Sequence, residues 1–389
     1  KATFPAGLEV VSNGRRESVV DNGDGTRTSR YQALTPMPPY DIFLAAFDGW
    51  KVHESRAGDV TVSAYTYDRD ADGSPGIYGD VPAALDYYTK TFGPFVWGKD
   101  MRYLEMPMYG GGMENATCVG MDETLFPKSA REEARLVAFH ELAHHWSGNS
   151  VRFSSWNDFW LSEGFTEYLT RRFVESHDGA EASRALWRKT LASALSAEAA
   201  SLHPVRPADP ERDVLGFFDD VVYEKGAFVL RMLEERVGRE RFTAFLARWF
   251  TAHRFGHVTT ADFEREASAA AGEDLSGFFA QWIFGEGHPE VRATTKRVDA
   301  QTIEVTVDEV QAKGAFDLEV EVELGAGAET RRVKVPVRGK RGAARVAMAA
   351  DPARVVVDPD EKAYLTVTCD TGARCRDGYR CAGAVCRPN

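Results

Sequence analysis

The sequence predicts an α+β protein built from a β-rich start, a mixed and then helical middle, and an antiparallel β end. Three patterns carry this reading. Short strand-like runs with turn signals fill residues 1–57. Helical apolar spacing dominates 131–270. Period-two alternation with one polar face returns after residue 291.

In the first part, Leu8 to Gly14 reads as a strand entering a turn, and Asp21-Asn22-Gly23-Asp24-Gly25 is a hairpin signal. Tyr40 to Phe47 reads as an apolar strand after a proline-rich entry. So small a piece cannot build its own core and is expected to pack on the middle of the chain. Between 58 and 290, Val60–Tyr67 and Met101–Met108 read as strands. Val81–Thr91 reads as a helix, with Pro82 in the tolerated first turn. Further helices are expected at 131–147, 158–176, 180–200, 220–237, 239–252 and 260–270. In 291–366, Ile303, Val305 and Val307, then Leu318, Val320, Val322 and Leu324, then Val333, Val335 and Val337 alternate with polar residues. This predicts a small β-sandwich without chemistry of its own.

Four of the five cysteines, Cys369, Cys375, Cys381 and Cys386, fall in the tail 367–389. The tail is too small to bury a core and needs staples. Two disulfides are the economical reading, with three connectivities open; a structural zinc is the alternative. Disulfides imply a periplasmic or secreted protein. Cys118 is expected as a buried small hydrophobe. The net charge of −12 argues against nucleic acid as a partner. No apolar run is long enough to span a bilayer. Lys1 is not an initiator and no signal peptide is recognised, so the chain reads as a mature product or a fragment.

The chemistry concentrates in His140-Glu141-Leu142-Ala143-His144 and Glu163. Histidines four apart on a helix lie about 40° apart around its axis, one turn along. Both imidazoles can therefore reach one zinc ion, with Glu141 aimed at a water on that ion. By chance the same pattern marks a polar face of an ordinary helix. Here the flanks favour the metal: Leu136, Val137, Phe139, Leu142 and Ala143 make one helix, Gly148-Asn149 stops it, and Glu163 follows near the start of the next. Glu167, one turn further on, is a rival ligand or a partner for a ligating histidine. Gly110-Gly111-Gly112-Met113-Glu114-Asn115 combines a permissive backbone with a carboxylate. Tyr223, in Tyr223-Glu224-Lys225-Gly226, offers a hydroxyl for a developing oxyanion; spacing alone does not separate it from Tyr168.

In this order, G-G-M-E-N, H-E-L-A-H-x-W, the downstream Glu and Y-E-K-G resemble the zinc aminopeptidases of the alanyl aminopeptidase (aminopeptidase N) type, which are gluzincins. The resemblance covers 58–290 densely and reaches more loosely to Pro36-Met37-Pro38-Pro39-Tyr40. It implies a thermolysin-like catalytic domain at 58–290, preceded by the end of a β-saddle domain at 1–57. A β-sandwich at 291–366 and the Cys-rich tail complete the expected order.

The resemblance also implies one catalytic Zn²⁺ held by His140, His144 and Glu163, with Glu141 as general base and Tyr223 as oxyanion donor. Glu114 would hold the α-amine of a peptide with a free N-terminus, and Gly111, Gly112 and Met113 would lie along that peptide. The family's upstream region and large C-terminal helical domain have no counterpart in these residues, and His145 stands where glutamine is common. An open zinc endopeptidase, an epoxide hydrolase side activity and a non-enzymatic peptide-binding scaffold are the alternative readings.

Overall fold

The computed structural model describes residues 1–107, 110–208, 213–369, 375, 379–382 and 385–388. It divides into two compact units, Lys1–His177 with Arg239–Glu273, and Asp178–Gly238 with Asp274–Asn389. Both mix helices and sheets.

The first unit is organised by a five-stranded sheet in the order Lys51–Ala57, Val60–Thr66, Asp100–Met106, Cys118–Asp122, Gly112–Met113. Its central strands run parallel, and Met101 to Glu105 are buried at every position, as a strand covered on both faces must be. Gly112–Met113 pairs antiparallel with Gly120 and Met121 at the sheet's edge. Residues 1–47 supply smaller sheets to this unit, while Lys51–Ala57 is an edge strand of the five-stranded sheet. Glu9–Ser12 pairs with Leu44–Phe47, and Thr26–Gln32 lies between Ala2–Pro5 and Arg15–Asp21. Tyr40 to Phe47 is not one strand: Pro39–Asp41 forms a 3₁₀ turn before the short strand begins.

Helices Val81–Phe92, Arg131–Ala143 and Trp160–His177 pack about this sheet through aromatic side chains. The rings of Phe139 and Phe173 meet edge to face at 4.8 Å, and Tyr103 Oη donates to Ala138 O at 2.9 Å. The start of Trp160–His177 is clamped to the helix Thr260–Ala271. Trp160 Nε1 donates to Thr260 Oγ1 at 2.8 Å, while Asp158 Oδ1 accepts from Thr260 N and Oγ1. Thr259 and Asp262 cap that second helix reciprocally, and Gly272 ends it in the left-handed region.

The second unit carries helices Ala180–Ala200, Gly226–Val237 and Ser276–Trp282 and two facing sheets. Val291, Ile303, Val305 and Val307 from one sheet share a core with Val320, Val322, Leu324, Val335 and Val337 from the other. The alternation seen in the sequence thus marks the inward faces. The strands Tyr379–Ala382 and Val385–Pro388 extend the larger sheet beside Thr366–Thr368. Cys369 bonds to Cys381 and Cys375 to Cys386, which selects one of the three connectivities. Cys118 is buried in a small apolar cluster with Val11, Phe43 and Leu104.

Candidate active site

His140 and His144 lie on one side of the Arg131–Ala143 helix and its last turn, and Glu163 approaches them from the next helix. Three donor atoms converge. His140 Nε2 is 3.0 Å from His144 Nε2, and Glu163 Oε2 is 3.2 Å and 3.3 Å from these two nitrogens. A tetrahedral zinc ion with bonds of about 2.0–2.1 Å sets its ligand atoms about 3.3–3.4 Å apart. The triangle therefore fits such an ion.

The far ring nitrogens are also held. His140 Nδ1 lies 3.0 Å from Glu167 Oε1, and Glu167 is itself paired with Arg171. His144 Nδ1 lies 3.1 Å from Ser147 O and 3.2 Å from Ser162 Oγ. These contacts fix both ring orientations, as metal-binding histidines require. Gly148 adopts φ +117°, and a Cβ there would come within 2.8 Å of His144 Nδ1. The helix stop seen in the sequence thus makes room for the imidazole.

Glu141 is buried. Burial, with Glu114 and Glu163 nearby, pushes its carboxyl up to about 8 against the pull of His140 and His144. Burial works against ionised Glu163 too, but His144 and His140 hold it down at about 2. Carboxylate oxygens of Glu114 and Glu141 and a ring nitrogen of His144 lie within 4.8 Å of one another. Gly110 and Gly111 take φ of 75° and 81°, which suits glycine. Gly112 differs: a Cβ on it would sit 2.3 Å from Glu141 Oε1.

Residues 1–57 hold the Glu114 segment in place. Asn13 Nδ2 donates to Asp41 O at 3.0 Å and to Ala116 O at 2.5 Å, while its Oδ1 accepts from Phe43 N at 2.6 Å. Asn115 Nδ2 donates to Tyr40 O at 3.1 Å, and Asn149 Nδ2 donates to Glu114 O at 2.7 Å. Asp41 is fully buried; burial and the Glu114 carboxylate push its carboxyl up to about 8. Asn13 and Asp41 escaped the sequence reading because their partners are remote in the chain.

Tyr223 belongs to the second unit, in a five-residue π-helical turn, Val221–Lys225. Such turns favour functional positions. Asp219 Oδ1 accepts from Val221 N and Val222 N, and His203 Nε2 lies 2.6 Å from Asp219 Oδ2. Beyond Tyr223, the fully buried Lys225 donates to Glu198 Oε1 at 2.5 Å and to Gly287 O at 2.9 Å. Tyr168 is buried in the first unit, and its hydroxyl accepts from Arg172 Nη1 at 2.8 Å.

Residues 79–282 match the Peptidase family M1 domain. The chain belongs to peptidase family M1. Among the relatives of this M1 chain, Leucine aminopeptidase 2 of Vanderwaltozyma polyspora is 34% identical over 276 residues, covering 64% of the chain and 39% of the relative. Probable aminopeptidase 1 of Saccharolobus solfataricus is 25% identical over 297 residues, covering 73% and 38%. The M1 chain thus spans about two fifths of the length of these relatives. The crystal structure of Legionella pneumophila aminopeptidase A in complex with aspartic acid shares the fold, with a TM-score of 0.79 at 19% identity. That match covers 93% of this chain and 43% of the other.

Proposed function

We propose that the chain is a zinc-dependent aminopeptidase that hydrolyses the first peptide bond of peptides with a free N-terminus. The observation that carries the proposal is the convergence of His140, His144 and Glu163 at 3.0–3.3 Å, with Glu141 and Glu114 gathered around His144. Relatives named as aminopeptidases support it.

His140, His144 and Glu163 would hold one zinc ion. Zinc, when bound, supplies Lewis acidity at the scissile carbonyl and at a water molecule. Glu141 takes the proton of the attacking water and passes it to the leaving amine, a role worth typically about 10²–10⁴-fold. Glu114 holds the substrate's ammonium group through a charge-assisted hydrogen bond. This contact counts register from the amino end, so one residue is removed at a time. The edge position of Gly112–Met113 suits pairing with an extended peptide, with Gly111 leading into it. Tyr223 donates to the tetrahedral oxyanion. The choice of Tyr223 over Tyr168 is supported by burial, since the Tyr168 hydroxyl is enclosed and already bonded to Arg172.

In this reading, 58–290 is the thermolysin-like catalytic domain, 1–57 the end of a β-saddle, 291–366 a β-sandwich and 367–389 a stapled tail. The two disulfides support an oxidising location, secreted or periplasmic. Among the described residues, no helix is long and apolar enough to cross a membrane.

The test is a panel of free and N-acetylated peptides, assayed with and without a chelator. Release of single amino acids from the free peptides alone, abolished by the chelator, is the expected result. Comparable cleavage of acetylated peptides would replace this reading with an open-cleft endopeptidase.

A further inference from the structure

The chain reverses between the edge strand Gly112–Met113 and the inner strand Cys118–Asp122, and Glu114 opens this reversal. Its tight part is the turn Asn115–Cys118, closed by Cys118 N donating to Asn115 O at 2.8 Å. The third residue of the turn, Thr117, has φ 63°. Turns that need a positive φ at this place usually employ glycine or asparagine, and a β-branched residue is disfavoured there. Strain of this kind persists only where the surroundings over-determine it.

The surroundings of Thr117 do so. Its carbonyl accepts from Arg102 N at 3.0 Å, its hydroxyl accepts from Gly14 N at 2.9 Å, and its N–H donates to His145 Nε2 at 3.0 Å. His145 is buried directly beside His144. Its Nδ1 lies 3.2 Å from both Glu141 O and Leu142 O, which can only accept, so Nδ1 carries the proton and Nε2 is left as the acceptor. Trp97 Nε1 donates to His145 O at 2.9 Å, and the rings of Phe95 and Trp97 pack against the imidazole. One side chain thus joins the backbone of Glu141 to the turn just after Glu114.

We infer that His145 is a positioning residue that sets the Glu114 carboxylate at its working distance from Glu141 and His144. The inference rests on the reading of Glu114 as the holder of the substrate ammonium. His145 touches neither substrate nor metal in this role. Thr117 is the strained end of the link, and His145 is the group that keeps it strained.

The decisive comparison uses an aminoacyl substrate and its des-amino analogue, which lacks the ammonium group. His145→Phe keeps the aromatic packing but removes the acceptor. It should raise KM for the amine substrate about three- to tenfold, the range one neutral hydrogen bond commands. Bound zinc and the slow turnover of the des-amino analogue should stay within about twofold of the parent protein. His145→Gln, whose amide both donates and accepts, should restore KM. Thr117→Gly relaxes the same turn from its other end with little threat to folding, and should raise KM for the amine substrate alone.

Equal losses on both substrates, or an unchanged KM in His145→Phe and Thr117→Gly, would overturn the inference. Glu114→Gln separates this from failure of the parent reading. If Glu114→Gln leaves the amine preference intact, the role of Glu114 falls, and this inference with it. If Glu114→Gln abolishes the preference and the His145 and Thr117 variants keep it, only the positioning role falls.

Discussion

Gly112 lies against Glu141 so closely that a single methyl group added to it would stand 2.3 Å from Glu141 Oε1 and 2.6 Å from its Cδ. The two residues are 29 positions apart, one on the edge strand and one on the His140 helix. The missing side chain of Gly112 is the space in which the Glu141 carboxylate sits. Gly112→Ala should therefore displace Glu141, the proposed general base, while leaving His140, His144 and Glu163 in place. The expected outcome is a fall in kcat of about 10²-fold, within the range that general acid–base catalysis contributes, with unchanged zinc content by metal analysis. Glu141→Gln should show the same separation of metal binding from turnover.

Glu167 backs His140 from the side opposite the proposed metal, at 3.0 Å from Nδ1. Partners in this position typically strengthen metal binding about 10–100-fold. Glu167→Gln should weaken zinc affinity by that factor in competition with a chromogenic chelator. At saturating zinc, kcat should return to near the parent value. Glu163→Gln, which changes a proposed ligand itself, should not be rescued in this way.

Tyr223→Phe should lower kcat by about 10²–10³-fold, the cost of one oxyanion donor, and move KM much less, because the proposed bond forms in the transition state. Tyr168→Phe provides the contrast. It removes a buried partner of Arg172, so it should lower the melting temperature and leave kcat near the parent value.

Asp41 makes stability depend on pH in an uncommon direction. Its carboxyl is raised in the folded chain to about 8 from an ordinary value of 3.8. Below about pH 4 both folded and unfolded chains hold the proton, and there is no penalty. As pH rises from about 4 towards about 8, only the unfolded chain releases it, so folding loses stability across that window. Asp41→Asn removes the effect. In chelator-treated protein, the variant should melt at the parent temperature near pH 4 and above it near pH 8.

The candidate site was legible where its geometry is local. His140, Glu141 and His144 are spaced by helix geometry, and Glu163 comes at the start of the next helix. The alternation of Ile303, Val305 and Val307 exposed the inward face of a sheet in the same way. What stayed hidden depends on remote partners. A plain helix over 220–237 was the natural expectation. Instead Val221–Lys225 winds as a π-helical turn, with Asp219 capping its start and Glu198 drawing in Lys225 at its end. Tyr40 to Phe47 has the composition of a strand, but Asn13 takes up Asp41 O and Phe43 N and shapes its start as a turn, so the strand begins only at Leu44. The pairing of the tail cysteines depended on which strands lie together, since Val367 faces Cys386 across the sheet.

The bonds from Asn13 and Tyr40 to the Glu114 segment bear on how the molecule can be dissected. A truncation beginning at residue 58, where the sequence pattern changes, would keep every residue proposed for metal binding and proton transfer. It would discard Asn13, Gly14 and Tyr40, the groups that hold Ala116, Thr117 and Asn115 from outside. Such a fragment would retain the proposed machinery for cutting and lose the proposed ruler that tells it where to cut.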